Sequence, residues 1–432
     1  MIKKILINIK SNKFSKDVLI TLTSNIAVGI SGVLFNTIIG NLYSIYNLGI
    51  FNQALSAYLF LGIIANLGIR NAILKFCAET NNHYKHQKAI LGSGLIIVLV
   101  SSILISSAIY LTTKQFPEIL FNKEATSVFQ YFIYSIPFFC LNKVFLFFFN
   151  AKRQMKTFSF YSFLRVFLSV LFVVIIAIFK LDFNLVFIAF LVSEILIFIT
   201  LTIHIFAVIR IQFRVNKYWI NKNLTFGIKS FFLDIVGQSN LYVDIFFVSI
   251  FLNSTAVGKY SLAISIVNGL LLLSSTVQLN FNPIISNLWS QSKHKELQES
   301  INKIKRQTKR LTLGLFSLAG ILFPVYIIIF FGNQNTTEII IIFYILLIGF
   351  ITPSIYGFSG GLLTMANFLN SYIKIALISL LLNLVFSYCL ISIFNLYGAA
   401  LAISIFHNSL FFMLFYVTKK KMNISVFQRN TI

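Results

Sequence analysis

The octapeptide GIFNQALS occupies residues 49–56, and GKYSLAIS occupies residues 258–265, a constant 209 positions later. Both follow the pattern G-x-[FY]-x-x-A-x-S, and each opens a long apolar segment. Glycine, alanine and serine let helices approach closely inside a membrane. The pair therefore indicates an internal duplication, although chance similarity in so apolar a chain is the alternative.

The composition of the whole chain is too apolar for a water-soluble protein. Of the 432 residues, 58% are hydrophobic, 16% are aromatic and 11% are charged, whereas about a quarter of the residues in soluble domains are charged. A helix crosses a bilayer with about 20 apolar residues. The apolar content is therefore sufficient for about twelve transmembrane helices.

Apolar runs bounded by polar clusters predict twelve membrane-spanning segments. The first follows a Lys-rich start without a cleavage site, so we interpret it as an uncleaved span. The second and eighth contain Asn, Gln, Ser and Gly and are expected to face protein or water. The twelve segments are 18–40, 46–68, 90–112, 127–149, 158–179, 184–208, 225–252, 257–280, 311–331, 339–363, 371–394 and 397–417.

The number of lysines and arginines alternates between high and low in successive loops. With the N-terminus inside, 28 of the 35 basic residues lie on the inner side and 4 on the outer side. The positive-inside rule then places both termini in the cytoplasm. The largest inner loop is 281–310, and its charged stretch 293–310 is either an amphipathic helix at the lipid surface or a solvated basic loop.

The duplication and the even number of spans predict two six-helix bundles in one all-α integral membrane protein. We predict an N-terminal bundle at 1–208, a cytoplasmic basic linker at 209–224, and a C-terminal bundle with a cytoplasmic tail at 225–432. Parallel repeats of this kind suit alternating access around a central cavity.

Ionisable side chains inside predicted spans are functional candidates. Lys143, Arg165 and Lys229 lie in the inner part of their segments, as does Lys374. A ring of positive charge that captures phosphate or pyrophosphate is one interpretation, and snorkelling to the interface is the other. Glu194 lies near mid-depth.

The seventh predicted segment has one polar half. On a helical wheel, Asp234, Gln238, Asn240, Asp244 and Lys229 share about half of the circumference, and most remaining positions are Phe, Leu, Ile and Val. This face either lines a water-filled space or packs against polar partners. Asp234 and Asp244 on this face are candidates for carrying a coupling proton or Na⁺, and so is Glu194.

Signals for catalysis or cofactor binding are missing from the sequence. There is no G-x-x-x-x-G-K-[ST] motif, no supported Ser/His/Asp grouping, no metal-binding cluster and no cofactor motif. Cys77, Cys140 and Cys389 are widely separated and predict no disulfide framework. The net charge of +24 follows the membrane topology and does not indicate a nucleic-acid partner. Transport, and not catalysis, fits what remains.

Three stretches carry a resemblance to a known family. They are LGIFN at 48–52, the region from Asp244 to VGKYSLA at 257–263, and YGAALA at 397–402. With the twelve-span plan, they resemble the polysaccharide-exporter branch of the multidrug/oligosaccharidyl-lipid/polysaccharide (MOP) superfamily over nearly the full length. The resemblance implies a MOP/MATE-like fold and central-cavity charges, for which Lys143, Arg165, Lys229 and Asp234 are the candidates together with Asp244.

The resemblance also implies a function in polysaccharide biosynthesis. Such proteins flip undecaprenyl-pyrophosphate-linked repeat units across the bacterial inner membrane for O-antigen, lipopolysaccharide or capsule assembly. The implied partners are this lipid-linked oligosaccharide, membrane lipid, a polysaccharide polymerase and a chain-length regulator. The alternatives are a cation-coupled drug exporter of the same superfamily, a flippase for the peptidoglycan precursor, and an O-antigen polymerase, which is an enzyme.

Overall fold

The computed structural model describes residues 13–80, 84–116, 123–206, 214–238, 243–332, 336–366 and 368–426. Across these ranges the regular structure is α-helical, which confirms the predicted all-α fold. The helices are α1 Lys13–Leu42, α2 Ile45–Asn66, α3 Ile69–Glu79, α4 Tyr84–Gln115, α5 Lys123–Ala151, α6 Met155–Ile178, α7 Leu185–His204, α8 Lys217–Gln238, α9 Val243–Phe251, α10 Ser254–Ser290, α11 His294–Phe331, α12 Thr336–Tyr356, α13 Ser359–Met365 and α14 Leu369–Met422.

Among the described residues, nine candidate spans are long and apolar enough to cross a membrane. The total of twelve spans stays a prediction. The two last predicted segments illustrate why a count by helix differs from a count by apolar run. They are two helices that meet at Asn395, whose backbone (φ 51°, ψ −129°) is not helical, so the range given for α14 contains both 371–394 and 397–417.

Two regions differ from the sequence-based prediction. The seventh predicted segment, 225–252, is described as two helices, α8 and α9, and residues 239–242 between them lie outside the described part. The predicted inner loop 281–310 is helical apart from a turn at 291–293, so of the two alternatives for 293–310 the structure shows the helix and not the basic loop. Its basic residues belong to the first half of α11, which continues directly into an apolar half.

The apolar side of this basic half is covered by the chain itself. Leu297 and Ile301 on α11 are buried in one cluster with Ile285 of α10 and with Ile424 and Val426 of the C-terminal tail. The tail is also held by hydrogen bonds between the Gln298 side chain and the backbone of Ser425. These two residues of α11 therefore pack against protein, although we expected the apolar side of an amphipathic helix to face lipid.

Contacts divide the chain into two compact units, with the first ending at Ile250 and the second starting at Phe251. Helix α8 belongs to the first unit, where it packs against α3 and α4. The contact boundary thus lies downstream of the predicted linker at 209–224. The assignment of six spans to each duplicated half stays a prediction.

An aromatic cluster forms the centre of the first unit. The Phe51 ring lies 5.5–6.4 Å, centroid to centroid, from four other rings, which belong to Phe35, Phe132, Phe187 and Phe190. Helix α2 carries Phe51 into this cluster and contacts α1, α4 and α5. Large aromatic rings of this kind contribute much of the packing energy of a core.

The duplicated motifs occupy equivalent positions in their helices. Ser44 accepts a hydrogen bond from the Asn47 backbone N–H (3.0 Å) at the start of α2. Asn253 accepts one from the Ala256 N–H (2.9 Å) at the start of α10. These capping residues are again 209 positions apart, and the motif aromatics Phe51 and Tyr260 are both buried. The similarity between the two motifs thus extends to the helix caps, where side-chain oxygens satisfy otherwise unpaired N–H groups, and the internal duplication stays a prediction.

Candidate functional site

A tight turn between α2 and α3 positions the first charged residue of the site. Leu67 (φ 48°) and Gly68 (φ 68°) are both left-handed, which ends α2 and redirects the chain into α3. A Cβ atom at Gly68 would collide with the Gly227 carbonyl oxygen of α8. Glycine at position 68 therefore allows α3 to approach α8 closely, and Arg70 follows directly.

Arg70 forms a bidentate ion pair with Asp234 of α8. The Arg70 Nη2 and Nε atoms lie 2.7 and 3.1 Å from the two carboxylate oxygens, and Asn71 Nδ2 donates a third hydrogen bond at 3.0 Å. Asn66 accepts the Arg70 backbone N–H at 3.0 Å and fixes the start of α3. A forked guanidinium–carboxylate pair is both strong and directional.

A second pair links α6 to α7. Arg165 Nε lies 2.6 Å from Glu194 Oε1, and Asn142 Nδ2 donates to Glu194 Oε2 at 2.9 Å. The Tyr58 hydroxyl donates to Oε1 at 3.3 Å. Only 3% of the Glu194 side chain is exposed. The three donors therefore replace the hydrogen bonds to water that the carboxylate loses on burial.

Lys143 on α5 is the third cation. Its ammonium lies 5.4 Å from the centre of the Phe139 ring, and the Arg165 guanidinium carbon lies 4.7 Å from the same ring. Both distances suit cation–π attraction. Within the described ranges, Lys143 has no carboxylate within ion-pairing distance and no hydrogen-bond partner for its ammonium.

These groups line one cavity of about 370 Å³ within the first unit. Its charged members are Arg70, Lys143, Arg165 and Asp234, and its other walls come mainly from α1 and α2. This volume lies in the range of about 300–1,000 Å³ that is usual for ligand sites. The apolar walls include Val28, Phe35, Leu55, Leu59, Ile63 and Val166.

The charge balance of the cavity favours an anionic ligand. Three basic side chains line the cavity, against the two carboxylates of Asp234 and Glu194, and each carboxylate is paired with an arginine, so Lys143 is the basic side chain without an ion-pair partner among the described residues. A lone buried charge is costly, and an entering anion would relieve that cost. Two arginine forks and one lysine are also donors suited to phosphate oxygens.

The predicted site residues divide into three groups. Lys143, Arg165 and Asp234 come together in the cavity, and Glu194 contributes by holding Arg165. Lys229 is exposed on α8 and does not line the cavity. Asp244 is buried on α9, whereas the side chain of Gln238 and all of Asn240 lie outside the described part.

Arg70 is the site residue that sequence reasoning missed. We placed it in an inner loop because hydropathy ends the second predicted span at residue 68. A signal for α3 was nevertheless available: Ile69, Ala72, Ile73, Phe76 and Cys77 recur at helical spacing, and all five are buried. This period predicts a short amphipathic helix that would carry Arg70 on its other side.

Comparisons with known proteins are consistent in family and fold. A family model described as polysaccharide biosynthesis protein matches residues 14–289. No curated protein sequence matches. Among solved structures, the lipid II flippase MurJ in an inward closed conformation is similar over 93% of this chain and 87% of its own, with 18% identity and a TM-score of 0.73.

Two further solved structures, both of transporters, are also similar in fold to this chain. The MATE multidrug transporter DinF-BH is similar over 97% of both chains, with 14% identity and a TM-score of 0.71. A MOP superfamily transporter from Pyrococcus furiosus is similar over 96% of this chain and 97% of its own, with 11% identity and a TM-score of 0.66. The predicted MOP/MATE-like membrane fold is thereby confirmed.

Proposed function

We propose that this chain, which belongs to the polysaccharide biosynthesis protein family, flips undecaprenyl-pyrophosphate-linked oligosaccharide repeat units across the bacterial inner membrane. The observation that carries the proposal is the cavity of the first unit, where Lys143 is an uncompensated cation beside Arg70 and Arg165. The pyrophosphate would bind these three side chains. Both chain termini would lie in the cytoplasm, as the distribution of Lys and Arg predicts.

The bidentate pair of Arg70 with Asp234 offers a way to bind and release the pyrophosphate. Asp234 occupies the Arg70 fork in the structure, and a phosphate group presents a similar pair of acceptor oxygens. Substrate binding would exchange one anion for the other, and Asp234 would return to Arg70 once the phosphate leaves. The site would therefore never hold Arg70 without a partner.

The remaining parts of the substrate need different surroundings. The polyprenyl chain would remain in the lipid, and the glycan would use the polar residues of the α8–α9 region, for which we propose Lys229, Gln238, Asn240 and Asp244. If a proton or Na⁺ drives the cycle, Glu194, Asp234 and Asp244 remain the candidates. A polysaccharide polymerase and a chain-length regulator would act on the exported product.

The alternative transport function, export of cationic drugs, fits the cavity less well. A cationic ligand needs available carboxylates, whereas Asp234 and Glu194 are each paired with an arginine. Lys143 would also repel such a ligand. An anionic substrate would be attracted by Lys143 and by the two arginines.

Reconstitution into liposomes tests the proposal. A fluorescent undecaprenyl-pyrophosphate oligosaccharide is placed in the inner leaflet, and a membrane-impermeant quencher reports its arrival outside. Protein-containing liposomes should lose fluorescence much faster than empty ones, without any change in oligosaccharide length. Movement of a cationic dye with no movement of the lipid-linked glycan would overturn the proposal in favour of drug export. Elongation of the glycan would overturn it in favour of a polymerase.

A further inference from the structure

A second cavity lies at another place in the first unit. It has a volume of about 860 Å³ and is formed where α3 ends and where α4 and α8 begin. Lys222 of this cavity and Asp234 of the first one are twelve residues apart on α8, which is about 18 Å along a helix. The two cavities are therefore separate sites.

The second cavity is lined by basic and aromatic side chains. They are Lys85, His86, Arg214, Tyr218, Trp219 and Lys222. No Asp or Glu is among its lining residues in the described ranges, and the adjoining stretches 81–83 and 207–213 contain none in the sequence. The lining is thus basic, and the adjoining acidic residue is the exposed Glu79, which precedes the lining residue Thr80.

The backbone around this cavity is held in a defined shape. The Asn216 backbone N–H donates to the Ser93 hydroxyl at 3.1 Å, and Asn223 Nδ2 donates to the Ile90 carbonyl oxygen at 3.0 Å. A Cβ atom at Gly92 would lie 2.5 Å from the Arg214 carbonyl oxygen. The segment that carries Arg214 is therefore attached to α4 through a contact that requires glycine.

The basic side chains of the cavity differ in the contacts that they make. The Lys222 ammonium lies 4.7 Å from the Trp219 ring centre and 4.9 Å from that of Phe76, so it is fixed by cation–π contacts. The side chains of Lys85 and Arg214 are exposed and have no hydrogen-bond or ion-pair partner among the described residues. Two cations are thus available beside a fixed third one.

The position of the cavity points to a lipid headgroup. Lys85 opens the candidate span 85–115, so the cavity lies at one end of a membrane-crossing helix. Tyr and Trp are enriched at that depth, where polar headgroups meet hydrocarbon, and clustered Lys and Arg beside a span attract anionic lipids. We propose that this cavity binds the phosphodiester headgroup of an anionic phospholipid, with Lys85 and Arg214 as its main ligands.

Native mass spectrometry of the full-length protein tests this site. The probes are phosphatidylglycerol and phosphatidylcholine with identical acyl chains. The unmodified protein should bind phosphatidylglycerol more tightly, and the double variant Lys85→Gln/Arg214→Gln should bind it about tenfold to thirtyfold more weakly. The variant Lys156→Gln/Lys180→Gln is the matched control because it removes two exposed charges elsewhere, and it should keep the preference.

Three results would contradict the proposal. One is equal binding of both phospholipids by the unmodified protein, and another is an unchanged preference in the Lys85→Gln/Arg214→Gln variant. The third is displacement of phosphatidylglycerol by inorganic phosphate, which would identify a soluble anion as the ligand. Thermal melting of both variants checks that each is folded. Glycan translocation by the liposome assay is scored separately, so the lipid site and the proposed transport function can fail independently.

Discussion

Glu194 is the carboxylate that holds Arg165 at the edge of the first cavity. It accepts hydrogen bonds from three side chains, those of Arg165, Asn142 and Tyr58. Burial makes this arrangement sensitive to a change in either partner, because removing one member of a buried pair leaves the other charge uncompensated.

We therefore predict that Glu194→Gln lowers the free energy of unfolding by about 3 kcal/mol. The amide would leave the Arg165 charge without a counterion and place an NH₂ group against a donor. Denaturant unfolding in detergent measures the loss. Glu338→Gln is the control, since its pair with Lys259 is more exposed, with 32% of the Glu338 side chain accessible, and should cost under about 1 kcal/mol. Equal losses in both variants would show that burial is not the cause.

At the same scale, the sequence identifies most of the cavity charges but not all of them. Lys143, Arg165 and Asp234 are recognisable because a charge within an apolar run is rare. Arg70 lies just beyond such a run, and its role depends on the turn at Leu67 and Gly68. A hydropathy profile contains no information about such a turn.

Helix α3 is the element that brings Arg70 to Asp234. Its position requires a left-handed residue at 68 and a close approach to Gly227. Any side chain at this position would push α3 away from α8.

Gly68→Ala should accordingly destabilise the first unit by about 1–3 kcal/mol, the range for a strained backbone position. It should also weaken pyrophosphate binding, since Arg70 moves with α3. Thermal melting and a binding titration measure the two effects. Gly314→Ala serves as control, because a Cβ there meets no atom within 4 Å. If both variants melt alike, the close approach of α3 and α8 is not needed for stability.

Helices α2 and α10 carry the two similar motifs and begin with similar caps. Ser44→Ala and Asn253→Ala each remove a capping oxygen and should each cost about 1 kcal/mol. Hydrogen exchange should quicken at the Asn47 and Ala256 amides, respectively, and should not change there in Ser127→Ala, which removes a hydroxyl from a different helix, α5. A response in only one of the two helices would argue against equivalent caps.

Apolar runs predict helices well but not where they are interrupted. The second predicted span, 46–68, agrees with α2 to within two residues, whereas 225–252 is described as α8 and α9. Likewise, the basic stretch after residue 293 and the apolar segment that follows it form one helix, α11. Hydropathy detects the apolar residues that lie within the membrane. A kink, or the extension of a helix beyond the membrane, depends instead on packing with other elements.

At the scale of the whole molecule, composition alone indicates a multi-pass membrane protein, and the family match and fold agree with this. The division into compact units at residue 250 could not be predicted in the same way. The contacts of α8 with α3 and α4 keep α8 in the first unit, and they join residues that are far apart in the sequence. Loop charges and hydropathy do not report such long-range contacts.

The proposed transport function requires that the cavity of the first unit binds the pyrophosphate of a lipid-linked glycan through Lys143. The most direct test is an equilibrium titration of purified protein with undecaprenyl pyrophosphate and, as the uncharged reference, undecaprenol. Lys143→Met should weaken pyrophosphate binding by about tenfold or more, because a hydrogen bond to a charged group contributes about 1.5–3 kcal/mol. Lys143→Arg should keep most of the affinity, and undecaprenol should bind all three proteins equally. Unchanged pyrophosphate affinity in Lys143→Met would show that Lys143 does not bind the pyrophosphate.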